Sequence, residues 1–201
     1  GDFRRDVESW ISDIRPLVLF RAMFDSQMLN CMTEDGLRLD IWLHAGDSIS
    51  LGGKQIFVLF DRGGCINNED TAHPDEQEAD RRVALQTHIA EFWRCISILP
   101  AVLGRNEFIT GFMGVAVELT PLTEVLIIGS GAVRDAGVKT LNRFLPPDAK
   151  LEIENAIRLE GITQESLARA HLRLAGIMQR RGPAIAQQYE ISYPFDLEGA
   201  V

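Results

Sequence analysis

The stretch QMLNCMTEDGLRLDIWLH, residues 27–44, contains two short apolar segments separated by the turn-forming sequence Glu-Asp-Gly. In the second segment, residues 37–44, apolar and polar side chains alternate, which is typical of a β-strand with one buried face. An Asp-Gly pair between two such segments favours a β-hairpin. We therefore predict that residues 28–33 and 37–44 are antiparallel neighbours. The polar face of the second strand would carry Arg38, Asp40, Trp42 and His44.

The segments on either side of this hairpin also have the composition of regular structure. Apolar spacing predicts a helix over roughly residues 2–15, while branched and aromatic residues predict strands over residues 17–24 and 54–61. Residues 62–75 are rich in Gly, Asn, Asp and Pro, which favour turns. We therefore predict a first domain over residues 1–66, built on a small mixed sheet.

The remainder of the chain, residues 67–201, has the pattern of a helical bundle. Between residues 85 and 103, and again between 108 and 126, apolar residues recur at alternating spacings of four and three. Such a spacing gives each helix one apolar face. Because the link between the two segments is short, the helices should be antiparallel neighbours in a bundle of four or five helices. The predicted fold class is α+β.

The composition argues against several classes of partner. The chain has 201 residues, of which 46% are hydrophobic, so it can bury a substantial core. Its net charge of -9 would repel nucleic acid and anionic membrane surfaces. We find no signal-peptide region and no run of about 18 uncharged apolar residues. Three widely spaced cysteines favour a reducing compartment, so we predict a cytoplasmic protein with neither nucleic acid nor membrane as partner.

Motifs for common catalytic sites are missing from the sequence. The four histidines lack the HExxH spacing of a zinc site, and there is no G-x-S-x-G nucleophile motif. The glycine-rich stretch GSGAVRDAG, residues 129–137, follows a predicted helix rather than a strand, so it lacks the context of a dinucleotide-binding loop. We interpret this stretch as a connector.

Three polar residues flank the apolar face of the first long helix: His88, Glu91 and Cys95. Their spacings of three and four place them close together on the helix surface. In one interpretation they are ordinary positions at the solvent boundary. In the other, His88 and Glu91 form one wall of an acidic cleft between the two domains, near the strand that carries Asp40. Clefts between domains are common ligand sites.

Seven short motifs occur along the chain, and their order is informative. They are RPLVLF (15–20), LRLDIWLH (37–44), LFDRGG (59–64), EFW (91–93), VLGRNEF (102–108), LNRFLPP (141–147) and QYEISYP (188–194). Together they resemble the antibiotic-type nucleotidyltransferases, and within them the lincosamide and aminoglycoside nucleotidyltransferases. The resemblance implies a polymerase-β-like catalytic domain, here partial, followed by a helical bundle.

The resemblance also implies a role for Asp40. In this family, three carboxylates bind magnesium and activate an acceptor hydroxyl for in-line attack on a nucleotide α-phosphate. Asp40 matches the third of these in position and strand context, so it would be the general base or a metal ligand. The other two belong to a Gly-Ser...Asp-x-Asp or Asp-x-Glu motif, which this sequence does not contain.

Two explanations account for this departure. The sequence is either a portion of a longer protein that carries the motif, or it comes from a protein that has lost catalysis. In the second case the fold would serve small-molecule binding or dimerisation. The first is favoured because the strand at 37–44 would otherwise have an unpaired edge. We expect the 201 residues by themselves to be inactive.

The predicted function is transfer of a nucleoside monophosphate from a magnesium-bound nucleoside triphosphate to a hydroxyl of a small acceptor, such as an aminoglycoside or lincosamide. Arg38 and Trp42 would contact phosphate or acceptor, whereas His88 and Glu91 would line the acceptor side. The predicted partners are the acceptor, the nucleoside triphosphate with Mg²⁺ and, by resemblance, a second copy of the chain in a homodimer. The alternative is that Asp40 has no catalytic role and is a solvated residue on the polar face of its strand.

Overall fold

The computed structural model describes residues 3–25, 27–44, 46, 48–50, 57–67, 74–132 and 138–201. The chain divides into two compact units, residues 1–71 and residues 72–201. The first unit contains a helix and short strands, whereas the described part of the second is helical. The predicted α+β class is therefore confirmed.

The hairpin forms most of a three-stranded antiparallel sheet. Strands β1 (Leu17–Met23), β2 (Met28–Thr33) and β3 (Arg38–Trp42) lie in the order β1-β2-β3. The turn between β2 and β3 contains Gly36 at φ +82°, a left-handed conformation that favours glycine. The predicted pairing of residues 28–33 with 37–44 is confirmed.

The predicted mixed sheet appears as two separate sheets in the described part of the chain. A short parallel pair joins β4 (Ile49–Ser50) to β5 (Ile66–Asn67), while the larger sheet is entirely antiparallel. The strand predicted over residues 54–61 is not observed where it can be checked, because residues 57–61 are not in a strand and residues 54–56 lie outside the described residues. A segment rich in strand-forming residues forms a strand only if a neighbouring strand pairs with it, and the composition of the segment does not determine whether such a neighbour exists.

The core of the first unit lies between the sheet and helix α1 (Phe3–Ile14). Its fully buried members are Val7, Ile11, Leu29 and Cys31. From β3, Leu39 and Ile41 pack against this core, while Arg38, Asp40 and Trp42 on the other face are exposed. The period-two alternation therefore predicted the two faces of β3 correctly.

The second unit consists of helices connected by short links. Its described helices are α2 (Pro74–Ser97), α3 (Leu99–Gly104), α4 (Phe108–Gly129), a 3₁₀ helix (Val138–Arg143), α5 (Pro147–Ala156), α6 (Gln164–Gln188) and α7 (Phe195–Gly199). Pro100 lies in the first turn of α3, where its missing N–H leaves no hydrogen bond unmade. The chain therefore begins a new helix at this position.

The core of the second unit is formed mainly by α2, α4 and α6. The predicted apolar face of α2 is buried at Leu85, Ile89, Phe92 and Ile96. On α4 the predicted apolar face is buried at Val115, Leu122 and Leu126, whereas Phe112 on the same face is exposed; Glu118 is also buried. By length and hydropathy α4 could cross a membrane, and half of its apolar stretch is buried among the helices of this unit.

Candidate functional site

Asp40 lies at the middle of β3, with its side chain on the exposed face of the hairpin. In the register of the sheet it is directly opposite Asn30 on β2. The Asn30 side-chain amide donates a hydrogen bond to the Asp40 carboxylate, and Arg38 Nε lies 3.2 Å from Asp40 Oδ1. The side chain of Asp40 is 31% exposed. Asp40 is thus held by two donors and remains accessible to solvent.

Trp42 follows Asp40 on the same face of β3 but packs against another aromatic ring. Its indole stacks on Phe24, with ring centroids 5.9 Å apart and an interplanar angle of 12°. Phe24 lies in the turn between β1 and β2 at φ +52°. Residues two positions apart on a strand are separated by about 7 Å. The exposed face therefore presents a carboxylate beside an aromatic surface.

The charge of Asp40 also acts on a buried thiol. Burial raises the pKa of Cys31, and the nearby negative charges of Glu8 and Asp40 raise it further. Cys31 is therefore held in its neutral thiol form, and we assign it to the core of the first unit rather than to catalysis.

The other two predicted site residues, His88 and Glu91, lie on α2 in the second unit. Arg94 donates two hydrogen bonds to the Glu91 carboxylate, at 2.7 and 2.6 Å. These bonds, and the charges of Arg94 and His88, lower the pKa of Glu91. Glu91 is therefore ionised at neutral pH, but its charge is offset by Arg94. Glu91 therefore forms an ion pair with Arg94. The other predicted site residues, Arg38, Asp40 and Trp42, lie together on β3.

The donors available for a magnesium ion are few in the described residues. No group of three or more His, Cys, Asp or Glu side chains that could hold a metal is found there. Magnesium sites use oxygen ligands, commonly one or two carboxylates together with substrate phosphates and water. Asp40 supplies one such carboxylate, and Arg38 beside it is a competing cation. A magnesium site at Asp40 would need further oxygen ligands.

A buried polar pair in the second unit was not predicted. Glu118 on α4 and His171 on α6 are each 1% exposed. Both carboxylate oxygens of Glu118 lie 2.7 Å from His171 Nδ1, and His171 Nε2 donates a hydrogen bond to the Gly111 carbonyl at 3.0 Å. The His171 imidazole on α6 therefore contacts α4 at two residues, Glu118 and Gly111.

The pair lies at the wall of a pocket of about 420 Å³. The apolar lining comes from α3 and α4 and includes Leu99, Val102 and Val117, and Cys95 on α2 also lines it. Because both nitrogens of His171 are engaged, neither is available to a substrate in this arrangement. We therefore assign the Glu118–His171 pair to structure.

A signal for this pair exists in the sequence. His171 is spaced four residues after Leu167 and three before Leu174, so it lies on the apolar face of α6. Glu118 interrupts the apolar face of α4 in the same way, three residues after Val115. A polar residue on an apolar helix face indicates that it has a buried hydrogen-bond partner, but the spacing does not identify that partner.

Comparison of the chain with family models, with curated proteins and with solved structures gives no match. Its function is therefore inferred from its residues and their geometry.

Proposed function

We propose that the protein is a nucleotidyltransferase of the antibiotic-modifying type. It would transfer a nucleoside monophosphate from a magnesium-bound nucleoside triphosphate to a hydroxyl of a small acceptor, such as an aminoglycoside or lincosamide. The observation that carries this proposal is the position of Asp40, an accessible carboxylate in the middle of β3, within the motif LRLDIWLH that resembles this family.

In the proposed reaction, Asp40 accepts the proton of the acceptor hydroxyl. The acceptor oxygen then forms a bond to the α-phosphorus, and the bond from that phosphorus to pyrophosphate breaks. Arg38 orients the Asp40 carboxylate, since its Nε lies 3.2 Å from Oδ1. When bound with the nucleotide, magnesium would neutralise charge on the phosphates. Trp42 and its partner Phe24 offer an aromatic surface to a base or an acceptor ring.

His88 and Glu91 are proposed to line the acceptor side. Because Glu91 is already bound by Arg94, a cationic acceptor would have to compete with that guanidinium for the carboxylate. An exposed ion pair of this kind contributes little to stability, so such an exchange is feasible. We further propose a cytoplasmic location and a homodimeric state. Measurement of the mass in solution tests the latter, and a monomer at all accessible concentrations would refute it.

The direct test is transfer of radiolabelled nucleoside monophosphate to a panel of aminoglycosides and lincosamides by the protein expressed from its complete gene. Asp40→Asn should lower the rate of transfer by about 10²–10⁴-fold while leaving the circular dichroism spectrum unchanged, because asparagine can still accept the hydrogen bonds of Asn30 and Arg38. The matched control is Asp13→Asn, the same substitution at an exposed position on α1. Full activity of Asp40→Asn would refute the proposal.

A second candidate is small-molecule binding without catalysis. The observation that favours it is the pocket of about 420 Å³ in the second unit, which has a largely apolar lining. In this case a lincosamide would raise the melting temperature without any transfer, and Asp40→Asn would not change that rise. Val117→Trp, which fills the pocket from α4, would abolish it.

A further inference from the structure

A groove in the second unit is lined by four arginines, and we call it the arginine groove. Its arginines are Arg158, which follows α5, and Arg169, Arg173 and Arg180 on α6. The cavity has a volume of about 720 Å³. The whole chain carries a net charge of -9, so this local excess of positive charge is opposite in sign to the rest of the molecule.

The three arginines on α6 lie on one face of that helix. Arg173 and Arg180 follow Arg169 by four and eleven positions, which correspond to rotations of about 40° and 20° at 100° per residue. The row spans about 16 Å at a rise of 1.5 Å per residue. Gly176 lies within the row, and a Cβ there would be 3.1 Å from Arg180 Nη1. The Arg180 guanidinium therefore covers the glycine and points into the row.

The acidic residue of the groove is already neutralised. Glu152 accepts hydrogen bonds from Arg181 Nε at 3.3 Å and from Arg181 Nη2 at 2.9 Å. Arg180 Nη2 lies a further 3.5 Å from the same carboxylate. Arg181 also donates a hydrogen bond to the Asp148 carboxylate at 2.7 Å, so two guanidinium groups meet two carboxylates at this end, and the positive charge of the groove comes from the arginines at its other end.

At the other end of the groove, fewer carboxylates neutralise the charge of the arginines. Arg169 contacts Glu165, which is 83% exposed. Within the described residues, no carboxylate lies within 4.0 Å of Arg158 or Arg173. Exposed guanidinium groups with no acidic partner, arranged in a concave site, are available to bind an anion.

The chemistry of arginine identifies the class of anion. The planar guanidinium donates pairs of parallel hydrogen bonds to phosphoryl oxygens. A row about 16 Å long is too long for a single phosphate but suits several linked phosphoryl groups. We propose that the arginine groove binds a linear chain of phosphoryl groups, either as free polyphosphate or as the triphosphate of a nucleotide. This inference goes beyond the proposed transfer reaction, since Asp40 belongs to the other unit.

The test is isothermal titration calorimetry of the full chain with inorganic tripolyphosphate in the presence of EDTA. EDTA removes divalent metal, so a magnesium-dependent site at Asp40 does not contribute. Arg173→Gln and Arg158→Gln should each weaken binding roughly tenfold, because each loses charge-assisted hydrogen bonds. The matched control is Arg105→Gln at the exposed turn after α3, which should change the affinity less than about twofold because it lies outside the groove. An equal effect of all three substitutions would overturn the proposal, because it would show binding to overall charge.

Further measurements separate the possible sources of the ligand. Gly176→Leu keeps every charge but fills the groove, and should also weaken binding. If ATP binds as well as tripolyphosphate while AMP does not, a nucleotide triphosphate is the ligand; if only tripolyphosphate binds, the ligand is free polyphosphate. Binding of sulfate or of an oligoglutamate peptide as tight as that of tripolyphosphate would overturn the proposal. Asp40→Asn should leave this affinity unchanged, so failure of the transfer reaction and failure of the groove are distinguishable.

Discussion

The Glu118–His171 pair provides a quantitative prediction about the second unit. In His171→Leu, the Glu118 carboxylate stays buried without its partner, and the Gly111 carbonyl loses its donor. Removal of one member of a buried pair typically costs about 3–5 kcal/mol. A domain of this size has a total unfolding free energy of about 5–15 kcal/mol, so the loss should be large but measurable.

The assay is urea denaturation at 25 °C, followed by circular dichroism at 222 nm, for which the helical unit dominates the signal. Glu118→Leu should be destabilised to a similar extent as His171→Leu. In the double variant, with leucine at both positions, neither side chain of the pair is left without its partner. Its decrease in the free energy of unfolding should therefore be smaller, by at least about 2 kcal/mol, than the sum of the decreases in the two single variants. The control is Glu165→Leu at an exposed pair with Arg169, which should cost less than about 1 kcal/mol.

Two results would refute this reasoning. The first is a loss below about 1 kcal/mol in both single variants, which would mean that the pair is not buried as described. The second is strict additivity in the double variant, which would mean that the two residues do not interact.

Three further predictions concern the same unit and the same assay. Gly182→Ala should lower the free energy of unfolding by about 1–3 kcal/mol, because the new Cβ would lie 2.7 Å from the ring of Tyr193. Leu174→Ala, at a fully buried position, should lose about 2–5 kcal/mol through the cavity it leaves. Hydrogen bonds from Arg181 lower the pKa of Glu152 below its usual 4.5, so this pair stabilises the fold above that pH and the stabilisation is lost as the pH falls through the lowered pKa. Arg181→Gln should therefore lower the free energy of unfolding by about 0.5–1 kcal/mol at pH 7. Between pH 5 and pH 3, the stability of this variant should fall less than that of the parent protein.

Each of these predictions has a control or a contradicting result. Gly199→Ala has open space at the Cβ position and should change stability by less than about 0.5 kcal/mol. Leu151→Ala is the same substitution at an exposed site and should also have little effect. An identical acid dependence of the parent and Arg181→Gln would show that the ion pair does not contribute.

The hairpin could be predicted from the sequence because two independent signals agree there. Period-two alternation gave the faces of β3, and the Asp-Gly pair gave the turn, in which Gly36 takes the left-handed conformation. The partner of Asp40 was not predicted. Asn30 becomes its neighbour through the cross-strand register, which depends on the pairing of β2 and β3 rather than on spacing within one strand.

The interior of the helical unit was predicted less well. The four-three pattern identified α2 correctly, but on α4 it selected a face containing Phe112, which is exposed. The burial of Glu118 was not predicted, because isolated carboxylates are rarely buried. Its burial depends on His171, 53 residues further along the chain, and no local pattern contains that contact. Residues 57–61, the described part of the strand predicted over 54–61, are not in a strand for the same reason, because pairing partners are not encoded locally.

The role of Asp40 in nucleotidyl transfer is tested most directly by the rate of label transfer in Asp40→Asn, compared with Asp13→Asn, in the protein expressed from its complete gene. Loss of a positioned general base typically lowers the rate by about 10²–10⁴-fold. We therefore predict a loss of that size in Asp40→Asn and a change of less than about twofold in Asp13→Asn. Equal rates in the two variants, with transfer intact, would contradict the assignment of Asp40.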